Sequence, residues 1–187
     1  MRILQMITAL ILLIAELPCI SYADPIVWEG NGIYEIRTGG EWFYIPELNT
    51  YDNVTVKMYE GGVNQFSMYD NSVFTMYGPG SVDYLNLYEN ATASFFGGQI
   101  MSELYIDPAS MAQVKLFAHD ITFLPLNPPF EPYSEGILNG RWLSNEMPFS
   151  INLVGQGAYS HIQFIPEPAT LVLIGLGGLA AFRRRLR

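Results

Sequence analysis

A tyrosine–acid–asparagine triplet recurs through the middle of the chain, as Tyr51-Asp52-Asn53, Tyr69-Asp70-Asn71 and Tyr88-Glu89-Asn90. The acids stand 18 and then 19 residues apart, and a degenerate fourth mark, Ile106-Asp107-Pro108, follows after 18 more. Glycine pairs alternate with these marks at Gly39-Gly40, Gly61-Gly62, Gly78-Pro79-Gly80 and Gly97-Gly98. Two markers thus keep one period from Gly32 to about Leu124. That period is too short for a helical repeat and suits one turn of a parallel β-solenoid.

Each unit then holds two strands and two corners. In the first half Val54, Val56 and Met58 alternate with Thr55 and Lys57. In the second half Val63, Phe66 and Met68 correspond to Val82, Leu85 and Leu87, and then to Ile100, Leu104 and Ile106. These positions are expected to point inward and stack into apolar columns. The glycine pairs are expected to supply one corner through positive φ, which costs glycine nothing. The acid–asparagine pairs should supply the other by bonding their own backbone within the turn. Tyrosines at equivalent positions would stack on the outside about 4.8 Å apart, and four units would rise roughly 20 Å. Handedness does not follow from the pattern.

The expected fold is therefore all-β: a short solenoid over residues 24–124, then a proline-rich linker and a β-strand cap over 125–165. A solenoid needs covered ends. Asp24 to Asn31, with Trp28, is the candidate first cap. At the other end four prolines fall between 125 and 132. Beyond them, Gly136 to Leu143 and Phe149 to Leu153 are expected to form a hairpin around Ser144-Asn145-Glu146. Tyr159 to Ile165 is expected to be a last strand. No stretch of the body has a convincing helical period.

The two ends of the chain differ from this body. Arg2 is followed by the apolar run Ile3–Ile14 and by Ser21-Tyr22-Ala23. This predicts a signal helix over residues 1–23, cut between Ala23 and Asp24. The lone cysteine, Cys19, falls inside it, so residues 24–165 hold no thiol, disulfide or cysteine metal ligand. That body carries sixteen acids against Arg37, Lys57, Lys115 and Arg141; four minus sixteen gives −12. Nucleic acid and anionic lipid surfaces are poor partners for such a charge.

At the other end Pro166-Glu167-Pro168 precedes the apolar run Leu171–Phe182, broken by Gly175, Gly177 and Gly178, and then Arg183, Arg184 and Arg185. The run is short of the roughly twenty residues a permanent span needs, and its basic flank should stay cytoplasmic. This predicts a hydrophobic helix over 166–187 that enters the membrane transiently. The order of tripeptide, apolar run and arginines resembles the PEP-CTERM sorting signal. The glycine-pair and acid–asparagine repeat, the Gly-x-Leu-x-Gly at Gly136–Gly140 and the following Pro148-Phe149-Ser150-Ile151 also resemble modules of exported proteins that bear this tail. The resemblance implies a Gram-negative host, export to the cell envelope or outward, and processing near Pro166-Glu167-Pro168 by exosortase, a membrane protease-transpeptidase. It brings no activity with it.

The body is not expected to be an enzyme. His119 and His161 have no neighbouring histidine or cysteine, so neither a catalytic site nor a metal or cofactor site is expected. No Gly-x-Ser-x-Gly elbow, phosphate loop or dinucleotide fingerprint occurs. The row Asp52, Asp70, Glu89 and Asp107 admits a β-helix polysaccharide lyase or hydrolase. With Asn71 and Asn90 it also admits calcium held between turns, but the same residues serve as turns. Exposed Tyr59, Tyr69, Tyr77 and Tyr88 would suit the faces of sugars or simply pack between turns. The leading expectation is a structural or adhesive surface or matrix protein, with exopolysaccharide as the accompanying partner.

Overall fold

Between Tyr44 and Leu116 a long strand alternates with a short one: β3 (Tyr44–Thr50), β4 (Thr55–Met58), β5 (Gly62–Met68), β6 (Val73–Met76), β7 (Ser81–Leu87), β8 (Thr92–Phe95), β9 (Gln99–Ile106) and β10 (Gln113–Leu116). The long strands pair in parallel with one another, and so do the short ones. The chain therefore coils as a parallel β-solenoid of about four turns. The computed structural model describes residues 24–37, 44–126 and 134–166. The expected signal helix and C-terminal helix fall on residues 1–23 and 167–187, outside the described residues.

The register follows the repeat. Val63, Phe66 and Met68 lie opposite Val82, Leu85 and Leu87, which lie opposite Ile100, Leu104 and Ile106. All nine are buried. In β5 and β7 two residues separate the first inward side chain from the second. Three do so in β9, where the pairing shifts between Val82 and Tyr84. Such an added residue is absorbed as a bulge. The short strands alternate strictly, burying Val56 and Met58, Phe74 and Met76, Ala93 and Phe95, and Val114 and Leu116. Phe74 meets Phe66 of the facing sheet edge-on at 5.0 Å and Phe95 on the next strand of its own sheet at 5.8 Å. Burial of each such ring contributes roughly 2–3 kcal/mol.

The glycine corners have two causes rather than one. Gly61 and Gly98 hold φ of 89° and 90°, as expected. Gly78 does not have positive φ; there a Cβ would run into the backbone oxygen of Tyr59 on the turn below. Close approach of two backbones requires that glycine. Gly39-Gly40 lies outside the described residues.

Both caps are more integrated than expected. β1 (Ile26–Trp28) pairs in parallel with β3, and β2 (Ile33–Ile36) with β4. The first cap is thus a turn of the coil itself, with a long strand cut to three residues in β1. At the other end β11 (Ala118–Pro125), β12 (Ser134–Trp142) and β13 (Pro148–Val154) pair antiparallel in succession. The expected hairpin is present as β12–β13. β13 then returns to pair in parallel with β9, through Leu153 on Leu104. Residues Ala158–His161 form a 3-10 helix, so the expected last strand shrinks to β14 (Ile162–Phe164), parallel to β10. Gly157, at φ 79°, makes the sharp entry to that helix. One sheet runs β1-β3-β5-β7-β9-β13-β12-β11 and the other β14-β10-β8-β6-β4-β2. Trp142 closes the core: its ring stacks on Phe149 at 4.1 Å and its Nε1–H donates to the Gly98 carbonyl at 2.9 Å.

Candidate functional site: the corner ladders, the outer face and the tail

At the acid corner the residues expected to bond within their own turn bond across turns. The backbone N–H of Gly30 donates to Asp52 Oδ2 at 3.0 Å, that of Asp52 to Asp70 Oδ2 at 2.9 Å, and that of Asp70 to Glu89 Oε2 at 2.6 Å. Each acid holds positive φ, 59°, 54° and 54° in turn. The asparagines form a second ladder: Asn53 Nδ2 donates to Asn31 Oδ1 at 2.8 Å and Asn71 Nδ2 to Asn53 Oδ1 at 3.3 Å. The acid ladder's geometry changes at Asp107. There Pro108 disfavours helical backbone for the residue before it, φ is not positive, and Asp107 Oδ1 accepts the N–H of Ala109 in its own turn. The carboxylates that admitted a catalytic or calcium alternative each accept a backbone N–H, Asp52, Asp70 and Glu89 from the turn before and Asp107 from its own turn. Among the described residues no group of three or more His, Cys, Asp or Glu is arranged to hold a metal ion.

Two aromatic columns flank the corners. Tyr51, Tyr69 and Tyr88 stack with centroids 4.7 Å apart and planes within 5°. Tyr59, Tyr77, Phe96 and Phe117 form the other column at 5.2, 5.3 and 3.9 Å. The Arg37 guanidinium lies over Tyr59, 3.9 Å from the ring centre. Ring faces inside such a stack are covered by their neighbours. Of the residues singled out for sugar stacking, Tyr69 and Tyr77 each lie between two stacked neighbours. Loss of water around them pushes the hydroxyl pKa values of Tyr69 and Tyr88 up, with the neighbouring column tyrosines adding to the shift.

The outer face of the long-strand sheet differs. Tyr44 lies across β5, its ring against Gly62, and its hydroxyl donates to Asp83 Oδ2 at 2.8 Å on β7, two strands away. Water lost on the packed side of the ring, and then the hydrogen bond to Asp83, push its pKa up to about 12. The residue is nonetheless 51% exposed. No sequence signal pointed to this arrangement; the pairing of Tyr44 with Gly62 comes from the strand register.

The histidines do not converge. His119 Nε2 lies 2.8 Å from Glu146 Oε2 and its Nδ1 3.2 Å from Asp120 Oδ2. Loss of water lowers its pKa, but the hydrogen bond to Glu146 and the two carboxylates outweigh this and raise it overall. His161 Nδ1 instead meets the Ala112 carbonyl at 2.8 Å. At the first end of the coil a pocket of about 300 Å³ is lined by Ile26, Trp28, Glu35, Ile36, Arg37 and Ile45. Its two charges pair with each other at 2.8 Å.

The described chain ends at the tail's first residue. The N–H of Ile165 donates to the Leu116 carbonyl at 2.9 Å, and exposed Pro166 follows at once. Residues 164–185 match the PEP-CTERM protein-sorting motif. The chain carries a PEP-CTERM sorting signal. A protein with this signal is exported and sorted by exosortase, a membrane enzyme that processes PEP-CTERM domains. The matched span takes in Pro166, Glu167, Pro168, Arg183, Arg184 and Arg185, of which only Pro166 is among the described residues. Of the residues at the expected first cut, Asp24 is described and exposed, while Ala23 lies outside. No curated protein and no solved structure gives a significant match to the chain.

Proposed function

We propose that this PEP-CTERM protein is a non-catalytic structural or adhesive component of the cell surface or extracellular matrix, associated there with exopolysaccharide. The observation that carries this reading is the direct junction of coil and tail. The sorting match begins at Phe164, inside β14, with no spacer between the last turn and the processed segment. Among the described residues the last strand of the coil therefore runs straight into the sorting segment.

The corner carboxylates support the absence of catalysis. A lyase or hydrolase needs acids free to exchange protons with substrate, and Asp52, Asp70 and Glu89 accept backbone N–H bonds. In this reading Ala23–Asp24 is the first cut, the apolar tail enters the membrane transiently, and Pro166-Glu167-Pro168 with Arg183 to Arg185 directs the second processing step. Intact mass of the protein recovered from its host tests the route. The expected species lacks residues 1–23 and has lost or replaced the chain beyond Pro-Glu-Pro; a mass that retains the terminal arginines refutes it. The surface role is tested by comparing matrix cohesion and protease accessibility between the parent and a deletion strain. Unchanged cohesion with the protein inaccessible from outside would remove that role. A second reading, glycan binding, draws its support from the exposed ring of Tyr44.

A further inference from the structure

We infer that the outer face of the long-strand sheet is a binding platform for a neutral polysaccharide chain, with Tyr44 as its floor and Tyr84, Gln65 and the carboxylates of this face as its polar rim. This rests on the glycan-binding reading and moves it from the tyrosine columns to another site. The columns cannot serve, because their ring faces are stacked on one another at 4.7–5.3 Å over most of their length. Tyr44 is placed differently. Gly62 has no side chain to lift the ring, and any Cβ there would collide with it. The hydroxyl is tied to Asp83, so one ring face rests on the sheet while the residue stays 51% exposed. A ring already fixed in place loses little entropy on stacking against the C–H face of a sugar.

The surroundings choose the ligand. β1, β3, β5, β7 and β9 carry no lysine or arginine, and Glu47, Asp83 and Glu103 lie on them. An acidic glycan would be repelled. A neutral chain offers hydroxyl donors to those carboxylates, the strongest acceptors on the face. Gln65 lies opposite Tyr84, and Tyr84 opposite Glu103; both Gln65 and Tyr84 are exposed. The step from β3 to β7 is two strand spacings, roughly 10 Å, which gives room for more than one sugar ring along the coil axis.

The test is affinity electrophoresis of the mature protein recovered from its host, in native gels containing hydroxyethyl cellulose as the neutral probe or alginate as the acidic one. Hydroxyethyl cellulose should retard the wild type. Tyr44→Ala should weaken binding about tenfold, Tyr84→Ala should weaken it less, and Tyr69→Ala should leave it unchanged. Tyr44→Phe keeps the ring but frees it from Asp83, so it should bind more weakly than wild type and better than Tyr44→Ala. It also serves, with Tyr84→Ala, if Tyr44→Ala does not fold by circular dichroism. Retardation that Tyr44→Ala and Tyr84→Ala leave intact overturns the site while glycan binding stands. Retardation by alginate alone overturns the ligand class. No retardation by either probe overturns both the platform and the glycan reading beneath it.

Discussion

Glu89 reaches one turn back along the coil and accepts the backbone N–H of Asp70 at 2.6 Å. The same relation joins Asp70 to Asp52 and Asp52 to Gly30. Each carboxylate secures the turn before its own, while its own backbone is held at positive φ. For Glu89 the two effects oppose each other and can be separated. Glu89→Ala should cost about 1 kcal/mol from loss of a solvent-exposed charged hydrogen bond. Glu89→Gly loses the same bond but relieves the φ of 54°, so it should cost less. Urea midpoints at neutral pH give the order. Equal losses would mean the left-handed corner holds no strain.

Tyr69 sits between Tyr51 and Tyr88, so its removal breaks two stacks at once. Tyr69→Ala should destabilise by about 1–3 kcal/mol, at about 0.5–1.5 kcal/mol per aromatic pair. Tyr69→Phe should lie within a few tenths of a kcal/mol of wild type. A large cost for the phenylalanine variant, measured by thermal melting, would move the stabilisation from the ring to the hydroxyl.

Thr50 is the weak point of the core. It is fully buried, opposite Met68, and its hydroxyl has no hydrogen-bond partner among the described residues. Replacing the hydroxyl with a methyl of similar volume removes an unmet polar group. Thr50→Val should therefore stabilise by about 1 kcal/mol. A lower urea midpoint for the variant would show that the hydroxyl has a partner after all.

His119 makes stability depend on pH. Its folded pKa is raised above the ordinary 6.5, so the folded state binds the proton more tightly than the unfolded chain does. The stabilisation is fully present below about pH 6.5 and is lost as pH rises through the elevated folded value. The charged groups nearby are Asp120 and Glu146, with Arg141 donating to the Glu146 carbonyl at 3.1 Å. The gap in urea midpoint between wild type and His119→Gln should be widest near pH 5.5 and close above pH 8. A gap that does not change over this range would show that the imidazole is not held charged.

The coil was legible in the sequence because each turn repeats the same spacing. Val63, Val82 and Ile100 could be aligned by counting, and the structure pairs them. The tyrosine stack of Tyr51, Tyr69 and Tyr88 was legible for the same reason. Counting fails where the spacing changes. β1 and β2 sit 22 residues from their partners, as Ile26 to Leu48 and Ile33 to Thr55, so the first turn looked like a separate cap. The return of Leu153 to Leu104 crosses two antiparallel strands and carries no repeat mark. The column that runs from Tyr59 to Phe117 changes residue type midway, which hides it. The spacing identified the acids as corner residues, but the expectation that they would bond within their own turn fails for Asp52, Asp70 and Glu89, which bond the turn before.

The unequal length of the two sheets limits what the molecule can build. Both sheets begin in the same turn, at β1 and β2, but at the far end one stops at β14 while the other continues through β12 and β11. The coil thus has a level floor and a stepped roof. A second copy set floor to roof would meet the strand edges of the two sheets at different heights.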